Sequence, residues 1–182
     1  MLSIFVIVLL ILIGVYALST ADKKPTSQTQ TTTNKSQILE TKLQTATLHI
    51  PDGGPTVKLT NGKTDLKEGG YVMLGDVAAT QNTSNGEDIL VSFYVNYGGS
   101  GVFVYIGLFR EIEGHQTLIA FTTVGDRVIV ESITPGQAQP DDSYEVTIDY
   151  LDRTGSESMA DTPTVTSKQV VTVAGDTMTV QK

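Results

Sequence analysis

Residues 88–110, DILVSFYVNYGGSGVFVYIGLFR, have the densest β-branched and aromatic content of the chain after its first 18 residues. Apolar side chains alternate with others on both sides of a glycine-rich break, Gly98-Gly99-Ser100-Gly101. Two runs of period two around a short glycine turn predict a β-hairpin. Because both faces of this hairpin are fairly apolar, we expect it to be the central pair of a sheet that is covered on both sides.

The chain on either side of the hairpin predicts further strands. Short apolar runs, separated by turn residues, occur at 47–50, 57–59, 71–77, 117–123, 128–133, 144–151, 170–173 and 177–180. Residues 78–87 predict a long polar loop, Asn61-Gly62 predicts the turn of a small hairpin, and residues 38–48 allow a short helix or a strand. The predicted fold class is all-β or strongly β-dominated, an antiparallel sheet or meander that is sandwich-like or barrel-like and follows an N-terminal transmembrane helix.

The first 21 residues predict a membrane anchor or a signal-like segment. Residues 1–18, MLSIFVIVLLILIGVYAL, contain no charged side chain, and residues 19–21 bring the segment to a length that can span a bilayer. A cleaved signal peptide is the alternative, with cleavage near Ala17-Leu18-Ser19 or Ser19-Thr20-Ala21. We favour an uncleaved anchor, because the apolar core is long and no Lys or Arg precedes it.

Residues 22–36 predict a disordered tether that joins this segment to a folded domain at 37–182. The tether is rich in Thr, Ser and Gln and has no large apolar residue, so it cannot offset the entropy of ordering. Lys23 and Lys24 follow the apolar segment, and because positively charged flanks tend to stay in the cytoplasm, they would place the domain there. Because such tethers are typical of exported proteins, we expect instead a single-pass cell-membrane protein with its C-terminal domain extracytoplasmic, or a secreted one if the leader is cleaved.

The overall charge argues against one class of partner. The chain has a formal net charge of −8, and residues 37–182 alone carry 9 basic and 19 acidic residues. Such a surface disfavours binding to a phosphate backbone, so we expect no nucleic-acid partner. The chain has no cysteine, which excludes disulfides and thiolate metal sites.

Two short segments resemble a degenerate FG-GAP-type loop. They are Gly75-Asp76-Val77 and the run 85–91, NGEDILV. The intact loop of that family supplies alternating Asp and Asn oxygens to calcium, but residues 78–84 contain no acid here. Asp76 and Asp88, with Glu87 or Asn85, are too few for a calcium cage. We therefore predict no metal, and we expect Asp76 to accept hydrogen bonds from backbone N–H groups of a turn.

A wider pattern is similar to a group of uncharacterised, membrane-tethered bacterial β-domains. It covers residues 71–182 and includes the glycine-rich break, Gly125-Asp126-Arg127, Val130-Glu131-Ser132-Ile133, Tyr150-Leu151-Asp152-Arg153 and the following run 159–163, MADTP. The resemblance implies a single extracytoplasmic domain, and it implies no activity.

Candidate catalytic groups are few. His49 and His115 lack metal-ligand spacing, and Ser100 lacks the glycine pattern of a nucleophile elbow. An acidic cluster, Asp141, Asp142, Glu145, Asp149 and Asp152, suggests an exported hydrolase as an alternative function, with Asp141, Asp142 and Glu145 as its carboxylates.

Two neighbouring Asp-Arg pairs suggest a structural role. We expect Asp126-Arg127 and Asp152-Arg153 to hold two loops together through carboxylate–guanidinium contacts. We predict no catalytic, cofactor-binding or metal residues, no cofactor and no enzymatic activity. The sequence favours a membrane-anchored binding or structural module at the cell surface, with the membrane and a protein or glycan as partners.

Overall fold

The computed structural model describes residues 41–182, which form an all-β fold as predicted. Its strands are β1 (Thr47–His49), β2 (Thr56–Lys58), β3 (Lys63–Asp65), β4 (Tyr71–Thr83), β5 (Gly86–Asn96), β6 (Phe103–Ile112), β7 (His115–Asp126), β8 (Ile129–Pro135), β9 (Tyr144–Asp152), β10 (Val165–Ala174) and β11 (Thr177–Val180). Residues 41–43 are helical, and one short 3-10 turn, Lys67–Gly69, precedes β4. The predicted anchor and tether lie outside the described residues. Within residues 41–182, no helix has the length and apolar character needed to cross a membrane.

The predicted hairpin is the centre of the larger of two sheets. The seven-stranded sheet has the order β2-β1-β7-β6-β5-β4-β3, and β5 and β6 pair antiparallel from Ile89↔Phe109 to Val95↔Phe103. Its other neighbouring strands also run antiparallel, except that β1 lies parallel to β7. The second sheet is antiparallel, with the order β11-β10-β9-β8.

Both faces of the central hairpin are covered, as predicted. On one face, the side chains of β5 and β6 pack against the N-terminal part of the domain; this core is Leu43, Ala46, Leu48, Ile50, Leu59, Val72, Ile89, Val91, Phe93, Val95, Tyr105 and Phe109. On the other face they pack against the four-stranded sheet; this core is Leu90, Val104, Ile106, Leu108, Val128, Val130, Ile133, Tyr144, Val146, Ile148, Val171 and Val173. The alternation in β5 and β6 thus supplies two cores from one pair of strands.

The prediction of a long polar loop at 78–87 is wrong. β4 continues to Thr83 and pairs with β5 from Ala78↔Val91 to Thr83↔Gly86, so only two residues form the connection. A bulge between Leu74 and Ala78 shifts the register, and the second part of β4 follows it. The sequence signal failed because small and polar residues form this strand, whose main chain pairs with the strongly predicted β5.

The prediction of a small hairpin at Asn61-Gly62 is only partly confirmed. The turn forms, with reciprocal hydrogen bonds between Thr60 and Lys63 at N···O distances of 2.8 and 3.2 Å. The strands on either side then separate, because β2 pairs with β1 and β3 pairs with β4 at the opposite edge of the sheet.

One buried carboxylate connects the two sheets. Asp88 on β5 is 1% exposed and accepts two hydrogen bonds from Arg110 on β6, from Nε at 2.5 Å and from Nη2 at 3.2 Å. The hydroxyl of Tyr144 on β9 donates to Asp88 Oδ2 at 2.8 Å. Arg110 also donates to the turn between β10 and β11, to Asp176 Oδ1 at 2.6 Å and to the Gly175 carbonyl at 2.9 Å. We call these four side chains the inter-sheet network.

Replacement of Arg110 by Ala should be strongly destabilising. The substitution leaves Asp88 buried without its cation, which we expect to lower the free energy of unfolding by about 3–5 kcal/mol. Denaturant unfolding measures the change. Lys168→Ala is the matched control, because Lys168 lies 3.5 Å from Asp149 at an exposed site and should cost less than about 1 kcal/mol. Equal costs for the two variants would contradict a structural role for the network.

The network also predicts how stability depends on pH. Burial, and then the hydrogen bond to Asp88, raise the pKa of Tyr144 above its ordinary value. The folded protein therefore keeps this proton where the unfolded chain releases it, so the free energy of unfolding should fall as the pH rises above about 10. Urea unfolding between roughly pH 8 and 11 tests this, and Tyr144→Phe should make the decline shallower. An unchanged decline in Tyr144→Phe would assign it to other groups.

Candidate functional site

The acidic cluster does not form a site of paired catalytic carboxylates. Asp141 Oδ1 accepts from the backbone N and the Oγ of Ser143 at 3.1 and 2.7 Å. Asp142 accepts from the backbone N of Ser84 at 2.9 Å and from its Oγ. These hydrogen bonds hold the pKa of Asp141 and the pKa of Asp142 below their ordinary values. Both acids therefore act as ionised acceptors that fix exposed loops.

The other members of the cluster also have structural partners. Glu145 accepts from Gln181 Nε2 at 2.6 Å, Asp149 accepts from Ser132 Oγ at 2.9 Å, and Asp152 accepts from the Arg153 backbone N at 2.7 Å. A cavity of about 380 Å³ adjoins the loop between β8 and β9, and among the described residues that line it Glu145 is the only carboxylate. A two-carboxylate hydrolase mechanism needs a second acid roughly 5–10 Å away across the same cleft.

The isolated candidates are exposed side chains on three different elements. Ser100 is exposed in the turn between β5 and β6. His49 Nδ1 lies 3.2 Å from Thr56 Oγ1, and His115 is exposed at the start of β7. Within residues 41–182, no group of three or more His, Cys, Asp or Glu residues could hold a metal ion.

The two Asp-Arg pairs fix a loop, although not as predicted. Arg127 Nη1 donates to the Met159 carbonyl at 2.9 Å, and Arg153 donates to the carbonyls of Asp161 and Arg127 at 2.7 and 3.0 Å. The guanidinium groups thus attach the loop between β9 and β10 to the turn before β8. The predicted carboxylate–guanidinium contact forms within one pair, where Arg127 Nε lies 3.5 Å from Asp126 Oδ1, but the links between the loop and the turn are made to backbone carbonyls.

Asp76 and Asp88, the two acids of the FG-GAP-like pattern, are not brought together. Asp88 pairs with Gln81, five residues beyond Asp76 on β4, which separates the acids by on the order of 15 Å along the strand. Asp88 is already used by Arg110 and Tyr144. Asp76 is exposed in the bulge, and no described residue donates a hydrogen bond to it. The expected turn around Asp76 is therefore wrong, because strand pairing replaces the loop.

The bulge itself depends on a glycine. A Cβ on Gly75 would lie 2.2 Å from the Oγ of Ser92, which is buried on β5. The same hydroxyl donates to the Val77 carbonyl at 3.3 Å. The close approach of Gly75 to Ser92 and this hydrogen bond hold β4 in its displaced path, which places Asp76 at the edge of a depression.

This depression is a cavity of about 270 Å³, which we call the bulge cavity. Its walls are the β4 bulge, the Asn61-Gly62 turn and the segment around Gln44. Two backbone hydrogen bonds fix the walls: Gly62 N donates to the Gln44 carbonyl at 3.0 Å, and Leu74 N donates to the Gly62 carbonyl at 2.9 Å. Asn61 and Gly62 have φ of 52° and 73°, the left-handed region that this turn requires.

The bulge cavity combines an apolar lining with unused polar groups. Met73 and Leu74 contribute accessible apolar surface, whereas the lining residues Leu43 and Val91 are themselves only 1% and 2% exposed. The side chains of Gln44, Asn61 and Asp76 make no hydrogen bond to any described residue. Concave sites that combine apolar surface with a few polar groups are typical of ligand sites. The sequence analysis missed this site, although the small residues Gly62, Gly75 and Ala78 leave room for it.

The nearby lysines have other partners. Lys42 Nζ lies 2.8 Å from Glu87, and Lys63 Nζ lies 3.2 Å from Asp65 and 5.4 Å from the centre of the Tyr71 ring. Asp76 consequently has no ion pair within residues 41–182. Its charge is nevertheless felt by Tyr94, whose pKa is raised first by burial and then by Asp76.

A second exposed feature is a group of aromatic rings. Tyr97, Phe103 and Phe121 are 39%, 37% and 37% exposed. The Tyr97 and Phe103 rings lie 5.9 Å apart, and Phe121 meets Tyr105 edge to face at 5.7 Å. The hydroxyls of Tyr97 and Tyr105 each lie 3.4 Å from Asp52 Oδ2.

A cavity of about 660 Å³ adjoins Tyr97, with Asp65, Lys67 and Glu68 among its lining residues. These charged residues are of both signs, whereas Asp76 is the one charged residue among the described residues that line the bulge cavity, so the bulge cavity has the more definite ligand preference.

No family model, curated protein or solved structure matches this chain. Any function must therefore be argued from the residues themselves.

Asp76 should contribute little to stability and should not form a calcium site. Because it is exposed and accepts no hydrogen bond from residues 41–182, Asp76→Ala should change the free energy of unfolding by less than about 0.5 kcal/mol. Calcium in the millimolar range should leave the thermal midpoint unchanged relative to chelator, because Asp88 is engaged by Arg110 and too few oxygens remain. A rise of several degrees with calcium that Asp76→Asn abolishes would restore the ion-site interpretation.

Proposed function

We propose that this protein is a binding module that a membrane anchor holds at the cell surface. In this proposal residues 1–21 anchor the chain, residues 22–36 act as a tether, and the β-domain is extracytoplasmic. The anchor and tether are supported by composition, namely an uncharged apolar segment followed by a Thr-, Ser- and Gln-rich one. The excess of acidic over basic residues in 37–182 favours solubility and repels anionic lipid.

The bulge cavity is the observation that favours binding over a purely structural role. Elsewhere in the domain several charged side chains serve the fold: Asp88 and Arg110 connect strands, and Asp141 and Asp142 fix loops. At the bulge cavity, by contrast, Asp76, Asn61 and Gln44 present unused polar groups beside an apolar surface. A cavity lined by such groups suits recognition of a ligand.

The same observations support a binding protein more than the alternative hydrolase. Asp141, Asp142 and Glu145 each have a hydrogen-bond partner in the domain, and they do not face one another across the neighbouring cavity. Among the described residues, one carboxylate lines the bulge cavity, whereas acid–base hydrolysis of the kind considered for the cluster needs two.

Trypsin treatment of intact cells tests the surface location. If the domain is extracytoplasmic, cleavage after Lys35 in the tether should release a fragment that begins at Ser36, which mass spectrometry of the medium can identify. Exposed termini and tethers are the preferred sites of such cleavage. The variant Lys35→Gln is the matched control and should not release this fragment.

A cytoplasmic protein should remain intact in the same cells, which verifies that the membrane is closed. Protection of the domain in intact cells, together with cleavage at Lys35 after the cells are opened, would place the domain in the cytoplasm and overturn the proposal.

A further inference from the structure

We propose that the bulge cavity binds a small alkylammonium ion, with the ammonium group at Asp76 and the carbon chain against Met73 and Leu74. This inference rests on the proposed binding function and adds the chemical class of the ligand. It depends on three properties of the cavity: its charge, its hydrogen-bonding groups and its size.

The charge of the cavity favours a cation. Asp76 contributes a carboxylate, and the basic side chains of the neighbouring elements, Lys42 and Lys63, are held by Glu87 and Asp65. The domain around it is strongly acidic, which raises the local concentration of cations at such a surface. An anionic ligand would meet Asp76 with no compensating positive charge from residues 41–182.

The hydrogen-bonding groups match an ammonium ion. An ammonium group has three N–H donors and no acceptor. Asp76, Asn61 and Gln44 line the cavity and each carries a side-chain oxygen acceptor, and none of these side chains has a hydrogen-bond partner within residues 41–182. A hard divalent cation would instead require six to eight oxygens in one shell, more than these side chains provide.

The size and apolar part of the cavity require a carbon chain. A volume of about 270 Å³ is at the small end for ligand pockets and corresponds to roughly nine water-sized atoms. The exposed side chain of Met73 and the half-buried side chain of Leu74 offer apolar surface that a carbon chain can shield from water, a gain that a bare ammonium ion cannot provide. A linear amine of about five carbons has the right dimensions and combines both properties.

Calorimetric titration with three probes of equal length tests this assignment. The probes are n-pentylamine, 1-pentanol and pentanoate, which are cationic, neutral and anionic, and the protein is the full-length chain in a non-ionic detergent with the signal of the micelles subtracted. We expect n-pentylamine to bind at least about tenfold more tightly than 1-pentanol, as one charge-assisted hydrogen bond would provide. Pentanoate should not bind, and added salt should weaken the binding of n-pentylamine.

Substitutions in the cavity locate the binding site. Asp76→Asn keeps the shape of the side chain but removes the charge. It should weaken the binding of n-pentylamine about tenfold and leave the affinity for 1-pentanol unchanged. Asn61→Gly keeps a residue that accepts φ of 52° and should weaken the amine by a smaller factor. Glu111→Gln, which removes an exposed carboxylate on β6, is the control and should bind as the native chain does. Unfolding midpoints verify that each variant is folded.

Several results would overturn the proposal. It fails if n-pentylamine does not bind, if 1-pentanol binds equally well, or if Asp76→Asn and Glu111→Gln have the same effect. The proposed surface location is tested separately by trypsin. A released fragment without amine binding would reject only the ligand class, whereas amine binding by a protected domain would reject only the location.

Discussion

The two-sheet arrangement depends on the pairing of Asp88 with Arg110. A carboxylate that is 1% exposed loses its hydration, and only its partners can compensate for that loss. Here the partners come from different parts of the fold: Arg110 from the adjacent strand and Tyr144 from the opposite sheet, while Arg110 also reaches Asp176. Apolar packing between two sheets is non-directional, so we infer that this network selects the alignment of the sheets among those that would bury similar area.

The strongest sequence prediction succeeded because it rested on local pattern. The alternation in 88–110 and the glycine break between its halves are properties of the segment itself, and they predicted the hairpin, its central place and its two covered faces. Residues 78–83 lack that pattern, and their strand exists because β5 offers a partner. Composition describes a segment, whereas strand pairing is a property of two segments, so this strand could not be read from the sequence.

Asp88 shows the same limit at the level of a single residue. Its spacing from Asp76 resembles the two ends of a calcium-binding loop, but its real partners are Arg110, 22 positions away, and Tyr144, 56 positions away. Neither distance leaves a local signal. The bulge cavity was missed for a related reason, because its walls come from the Gln44 segment, the Asn61-Gly62 turn and the β4 bulge, which meet only in the folded chain.

Asp76 and Asp88 are the same residue type in opposite physical states. Asp88 is buried, and its oxygens are satisfied within the fold, so it has little left to offer a ligand. Asp76 remains hydrated at an open cavity, where an unpaired charge costs the fold little. A ligand that supplies a positive charge replaces that water with a charge-assisted hydrogen bond, and its carbon chain buries apolar surface against Met73 and Leu74. The fold can therefore tolerate variation at Asp76 that it cannot tolerate at Asp88, which is the distinction expected between a recognition residue and a structural one.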